Sequence, residues 1–86
     1  MKMNRLLIGM AIKKVREMRG LTQSQLSHHM SCPRSYISKI ENGICLPRLG
    51  AFLSFAEALN IEAWRLLRWA ERRSTETPAP SPKVPR

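Results

Sequence analysis

Apolar residues recur at spacings of three and four from Leu6 to Ala70, and nowhere does the chain alternate with the period of two that a half-buried strand requires. That pattern confines the chain to helices. Turn-forming residues cut the runs at Gly20, Pro33, the Asn42 and Gly43 pair, Pro47 and Asn60. Glycine and asparagine accept the left-handed backbone that other residues resist, and proline cannot continue a helix. The expected fold class is therefore all-α, with five helices.

Each helix has a distinct buried face. In the first, from about Asn4 to Arg19, the residues Leu7, Ile8, Ala11, Ile12, Val15 and Met18 share one arc, while Lys13, Lys14, Arg16 and Glu17 face away, Arg16 at the border of the apolar arc. Thr22 is a good N-cap with Gln25 at the capping-box position, so the second helix runs from about Gln23 to Met30, with Leu26 and Met30 inward. Pro33 forces Cys32 toward extended backbone and suits the first turn of a third helix, ended by Asn42 and Gly43. There Arg34, Ser35, Ser38, Lys39 and Asn42 form one outward arc opposite Ile37 and Ile40. Pro47 can open the fourth helix, whose inward set is Leu49, Phe52, Phe55, Ala56 and Leu59. The fifth, about Glu62 to Arg73, turns Ala63, Leu66, Leu67 and Ala70 inward and Arg65, Arg68 and Arg72 outward, with Trp64 and Trp69 at the margins. From Ser74 the chain reads STETPAPSPKVPR, which is expected to be a disordered Pro-rich tail (74–86) behind one domain (1–73).

Composition narrows the function. Fifteen Lys and Arg against six acidic residues give a formal charge of +9, a self-repulsion that favours a polyanionic partner, with nucleic acid the first suspect and an anionic membrane surface the second. At 43% apolar residues the chain is too hydrophobic to be only a disordered basic tail. Its N-terminus imitates a signal peptide, but Lys13 and Lys14 follow the apolar run where small cleavage-site residues belong. No apolar run approaches the roughly 20 residues of a membrane span, so the protein is expected to be soluble, cytoplasmic and without a membrane partner. Cys32 and Cys45 are expected to remain free thiols there.

The order of two short helices around a tight turn, the second with a polar face, matches a helix-turn-helix plan. The stretch VREMRGLTQSQLSHHMSCPRSYISKIENGICLPRL, with R-x-x-R-G-L-T-Q followed by S-Y-I-S-K-I-E-N-G and a proline, resembles the Xre-type, phage-repressor (Cro-like) helix-turn-helix family over about Leu6 to Leu67. The resemblance implies a lambda-repressor-like DNA-binding domain, a homodimer on a palindromic or near-palindromic operator, and a role as transcriptional regulator. It implies base contacts from Arg34, Ser35, Ser38 and Lys39, backbone anchoring by Gln23, proximity of Tyr36 to sugar-phosphate, and a structural ion pair between Arg16 and Glu41. Independently, Arg34 can pair with guanine O6 and N7 and Lys39 can offer a point charge. Asn42 borders the same face, and Arg48 beside the start of the fourth helix can strengthen a phosphate site made by backbone amides. Ser27, Ser31 and Pro33 depart from the family's usual residues around the turn, which puts its geometry in question, and Arg48 and Glu62 stand where capping serines are usual.

Rival readings remain beside these. The polar arc of the third helix can also be read as a solvated face, Gln23 as an ordinary helix-start residue, and Tyr36 as a packing residue. The Arg65, Arg68 and Arg72 stripe reads as solvated, adding only long-range attraction. Leu53, Trp64 and Trp69 are a candidate dimer interface, although both indoles could equally pack inside. His28, His29, Cys32 and Cys45 lack paired metal-ligand spacing, the acidic residues are scattered, and no activated nucleophile is evident, so no metal, cofactor or enzymatic activity is expected. Small phage repressors and restriction-modification controllers share this minimal layout, and so do antitoxins, which add a toxin partner. With no room for an effector domain in 86 residues, control by protein concentration and operator occupancy is expected. The competing class is a protein-interaction module built on the same fold, the third helix docking on a protein and the Pro-rich tail serving as a ligand.

Overall fold

Local caps define where the helices begin. In the computed structural model, which describes residues 4–76, Asn4 accepts a hydrogen bond from the Leu7 amide at 2.9 Å and opens α1 (Arg5–Met18). Thr22 opens α2 (Gln23–Met30) with a full capping box: its Oγ1 accepts from the Gln25 amide at 3.0 Å while Gln25 Oε1 accepts from the Thr22 amide at 2.8 Å. Two orphan amides are satisfied at once. Ser31 ends α2 in left-handed backbone at φ 55°, and Pro33 is the cap of α3 (Arg34–Glu41) rather than a residue of its first turn. α4 (Leu49–Ala58) starts two residues beyond Pro47, with Arg48 as its uncapped N-cap, and α5 spans Ala63–Glu76. The last helix thus runs three residues past Arg73, so 74–76 are helical. The remainder of the Pro-rich segment lies outside the described residues.

Packing follows the wheel except at helix ends and flanks. Ile8, Ala11, Ile12 and Val15 of α1, Leu26 of α2, Ile37 and Ile40 of α3, Phe52, Phe55, Ala56 and Leu59 around α4, and Leu66 and Ala70 of α5 form one core. Met18, Leu49 and Leu67 were expected inward but are exposed, Leu49 at 73%. Met18 and Leu49 are the last residue of α1 and the first of α4, and Met18 lines an open depression with Ala56, Asn60 and Ile61 rather than filling the core. Leu67 stands on a flank of α5, which packs on α1 and α4 alone in any extent.

α1 meets α3 very closely. A Cβ on Gly9 would stand 2.2 Å from the Ile40 carbonyl oxygen and 2.9 Å from that of Glu41, so only glycine lets the two backbones approach this way. Arg19 stitches the far end: its guanidinium donates to the Leu59 and Asn60 carbonyls at 2.7 and 3.0 Å, satisfying the end of α4. Asn60 then turns the chain at φ 56°. Among the described residues there are five helices and no strand, and no helix is long and apolar enough to cross a membrane.

Candidate nucleic-acid interface

α3 is set between the core and solvent by its own pattern. Ile37 and Ile40 are fully buried, whereas Arg34, Ser35, Lys39 and Asn42 are exposed and Ser38 is half-buried. One side of an eight-residue helix therefore presents only hydrogen-bonding groups, with the span and diameter that a major groove admits. Asn42 Nδ2 donates to Ser38 Oγ at 3.3 Å, which leaves the serine hydroxyl proton available to an acceptor outside the protein.

A buried ion pair fixes this helix. Arg16 Nε donates to Glu41 Oε2 at 2.6 Å and the Arg16 terminal nitrogen Nη2 to Glu41 Oε1 at 3.0 Å. Both side chains are buried, Arg16 contrary to its expected outward placing because Glu41 draws it in from the border of the apolar arc, and the fork geometry is the bidentate one that best offsets the cost of removing two charges from water. Arg16 Nη1 also donates to the Leu21 carbonyl at 2.7 Å. The Glu41 hydrogen bond raises the Arg16 pKa above its already high value, with burial opposing it. Its charge is permanent.

Gln23 extends the pair to the surface. Its Nε2 donates to Glu41 Oε1 at 2.9 Å, and its Oε1 accepts from Arg34 Nη1 at 2.9 Å. An unbroken hydrogen-bonded chain runs from α1 through Glu41 and Gln23 to Arg34 at the start of the polar face. Sequence reasoning gave Gln23 a phosphate and Arg34 a base. The structure places the two side chains in contact and ties both to the buried pair, a link that spacings of 11 and 18 residues do not reveal. With its amide committed on both sides, Gln23 has its backbone amide to offer a phosphate, at a helix start where the dipole favours an anion.

Tyr36 is half-buried and stacks on Phe55 with centroids 6.1 Å apart and ring planes at 23°. Burial pushes its phenol pKa up, with smaller contributions in the same direction from Cys32 and Cys45 and an opposing one from Arg48. The ring packs, and its hydroxyl lies in the electrostatic reach of Arg48, the exposed residue at the start of α4. Cys32 and Cys45 are free, half-buried thiols, and burial raises the Cys32 pKa. His28 and His29 are exposed, and no group of three metal-ligating side chains exists among the described residues. Of the remaining predicted positions, Leu53 and Trp64 are 49% and 57% exposed, while Trp69 is partly buried against the core.

Residues 12–63 match the family HTH_3, described as helix-turn-helix. Among solved structures, the restriction-modification controller protein C.AhdI from Aeromonas hydrophila is 31% identical with a TM-score of 0.68, the match covering 71% of this chain and 92% of that one. The clp gene regulator ClgR from Corynebacterium glutamicum shares the fold at 22% identity and a TM-score of 0.80, over 83% of this chain and 76% of its own. So does the wild-type restriction-modification controller C.Esp1396I, at 21% identity and 0.77, over 83% and 95%. No curated protein matches the chain. With more than half its length in the family match and an exposed polar α3 braced on a buried Arg16 and Glu41 pair, the chain belongs to the helix-turn-helix family of Xre-type DNA-binding transcription regulators.

Proposed function

We propose that the protein binds a palindromic or near-palindromic operator as a homodimer and regulates transcription by occupying it. α3 enters the major groove of each half-site, with Arg34, Ser35, Ser38 and Lys39 reaching base edges and Gln23, Tyr36, Asn42 and Arg48 positioned on the sugar-phosphate backbone. The observation that carries this reading is the exposed hydrogen-bonding face of α3, opposite a fully buried Ile37 and Ile40. Two such helices related by a two-fold axis reach successive grooves roughly 34 to 36 Å apart. The 31% identical relative is a restriction-modification controller, and this chain is read as a regulator of that small kind.

Self-association is assigned to Leu53 and Trp64, the two exposed members of the predicted interface. Trp69 lies about 140° around α5 from Trp64, so the two indoles cannot both lie at the centre of one flat contact. A gel-shift series in rising salt, using sequences selected from a random pool, tests the DNA reading. A preferred palindrome retained over competitor DNA, with affinity falling steeply in salt, is the expected outcome. Weak binding without sequence preference at every salt concentration would overturn it, and sedimentation of the free protein checks the dimer.

A further inference from the structure

The cations that α3 does not use are gathered on another surface. Two neighbouring depressions share Trp69 as a wall, one lined also by Lys13, Lys14 and Glu17 of α1, the other by Arg65, Arg68 and Arg72 of α5. Five cations thus stand around one partly exposed indole, and among the described residues Glu17 is the only acidic side chain lining either depression. Arg65 is engaged in place, 3.4 Å from Glu62 and 5.1 Å above the Trp64 ring. Lys13, Lys14 and Arg68 make no ion pair among the described residues. Like charges in such density repel one another, and an anionic partner relieves that repulsion.

The chemistry of the patch selects among anionic partners. A second copy of the chain meeting this surface about a two-fold axis would bring the same cations face to face. Duplex DNA supplies phosphates but keeps its bases stacked, so the indole gains little from it. An acidic polypeptide segment with interspersed apolar side chains meets both requirements at once. Tryptophan and arginine are the residue types that carry most of the binding energy where proteins meet.

We propose that the basic surface around Trp69 docks an acidic segment of a partner protein, its carboxylates set against Lys14 and Arg68 and an apolar side chain against the indole. None of these residues belongs to the α3 face, which stays open when the surface is filled. The surface stands whether or not the operator reading does.

The test is a tryptophan-fluorescence titration of the full chain with a short synthetic Glu/Leu peptide and with its Gln/Leu counterpart. The acidic peptide is expected to bind saturably and its counterpart not. The double variant K14Q/R68Q should weaken binding about tenfold, the sum of two exposed charge contacts, while K39Q, which removes one charge from α3, should change it less than twofold. Circular dichroism verifies that all variants are folded. Equal binding of the Gln/Leu peptide would overturn the proposal, as would an equal loss in K39Q, which would mean net charge alone. So would tighter binding of a single-stranded oligonucleotide or of phosphatidylglycerol vesicles, which would assign the surface to another class of ligand.

Discussion

The α3 face and the surface around Trp69 are both basic, but they are held in different ways. Apart from the Asn42 and Ser38 contact, the polar contacts on the first lead inward: Arg34 to Gln23, Gln23 to Glu41, Glu41 to Arg16, and Arg16 to the Leu21 carbonyl. Side chains from three helices thereby share one buried network, and Gly9 lets α1 close on the end of α3. On the second surface, Arg65 rests on Trp64 and Glu62, both exposed and both near it in the chain, and α5 itself is seated by apolar side chains such as Leu66 and Ala70. Reading base edges requires hydrogen-bonding groups held to within a fraction of an ångström, whereas charge attraction acts over about 10 Å and tolerates mobile side chains. The difference is the one expected between the discriminating role proposed for the first face and the attracting role proposed for the second.

The largest expected effect lies at the centre of the network. Glu41→Ala leaves the Arg16 guanidinium buried without its partner and strips Gln23 of its acceptor, so it should cost about 3–5 kcal/mol of stability, measured by urea denaturation. A loss under 1 kcal/mol would show that α3 is seated by Ile37 and Ile40 alone and would erase the contrast with α5. Next comes Gly9→Ala, whose added methyl would meet backbone oxygen rather than a yielding side chain. Its cost should be about 3 kcal/mol, at the upper end for overpacking, whereas Gly50→Ala, with open space around the new atom, should cost nothing and is the internal control.

For the two faces themselves, Arg34→Ala should weaken operator binding by about 1–3 kcal/mol and relax one base preference, with stability unchanged. Gln23→Ala keeps the backbone amide offered to phosphate but releases the Arg34 guanidinium, so its loss should fall mainly on the base that Arg34 reads. Because Gln23 Oε1 holds the Arg34 guanidinium, the two losses should not add, and a double-mutant cycle should return a coupling of at least about 0.5 kcal/mol. Strict additivity would mean that the contact is abandoned on DNA and that the network does not reach the bases.

The sequence already carried most of the fold. The capping box at Thr22, the left-handed Asn60, the buried sets of α1 and α3 and the proximity of Arg16 to Glu41 were all legible, because each depends on local backbone chemistry, helical period or a family pattern. Met18 and Leu49 were not, since a wheel gives a direction and not whether a neighbour covers the side chain. Leu67 escaped for a related reason, because the wheel does not tell how wide a stripe on α5 its neighbours cover. The candidate site could be proposed from the sequence residue by residue but not as a network. Nothing in the spacing of Gln23, Arg34 and Glu41 says that one amide spans the other two. The cluster around Trp69 escaped because Lys13 and Lys14 meet α5 only through packing of elements some 50 residues apart in the chain.

The smallest predicted effect has the opposite sign and isolates the turn from the network. Ser31 joins α2 to α3 at φ 55°, a conformation that costs a residue with a Cβ about 1–2 kcal/mol. Glycine removes that cost and gives back part of it through a freer unfolded chain, so Ser31→Gly should stabilise the protein by about 0.5 kcal/mol, read as a small rise in Tm. The amide of Ser31 bonds the His28 carbonyl at 3.2 Å and that of Cys32 bonds Ser27 at 3.0 Å, and glycine keeps both. If the orientation of α3 comes from Glu41, Arg16 and Gln23, operator affinity should stay within a factor of two of the parent. A higher Tm accompanied by a clear loss of affinity would transfer the aiming of α3 from those buried charges to the stiffness of the turn.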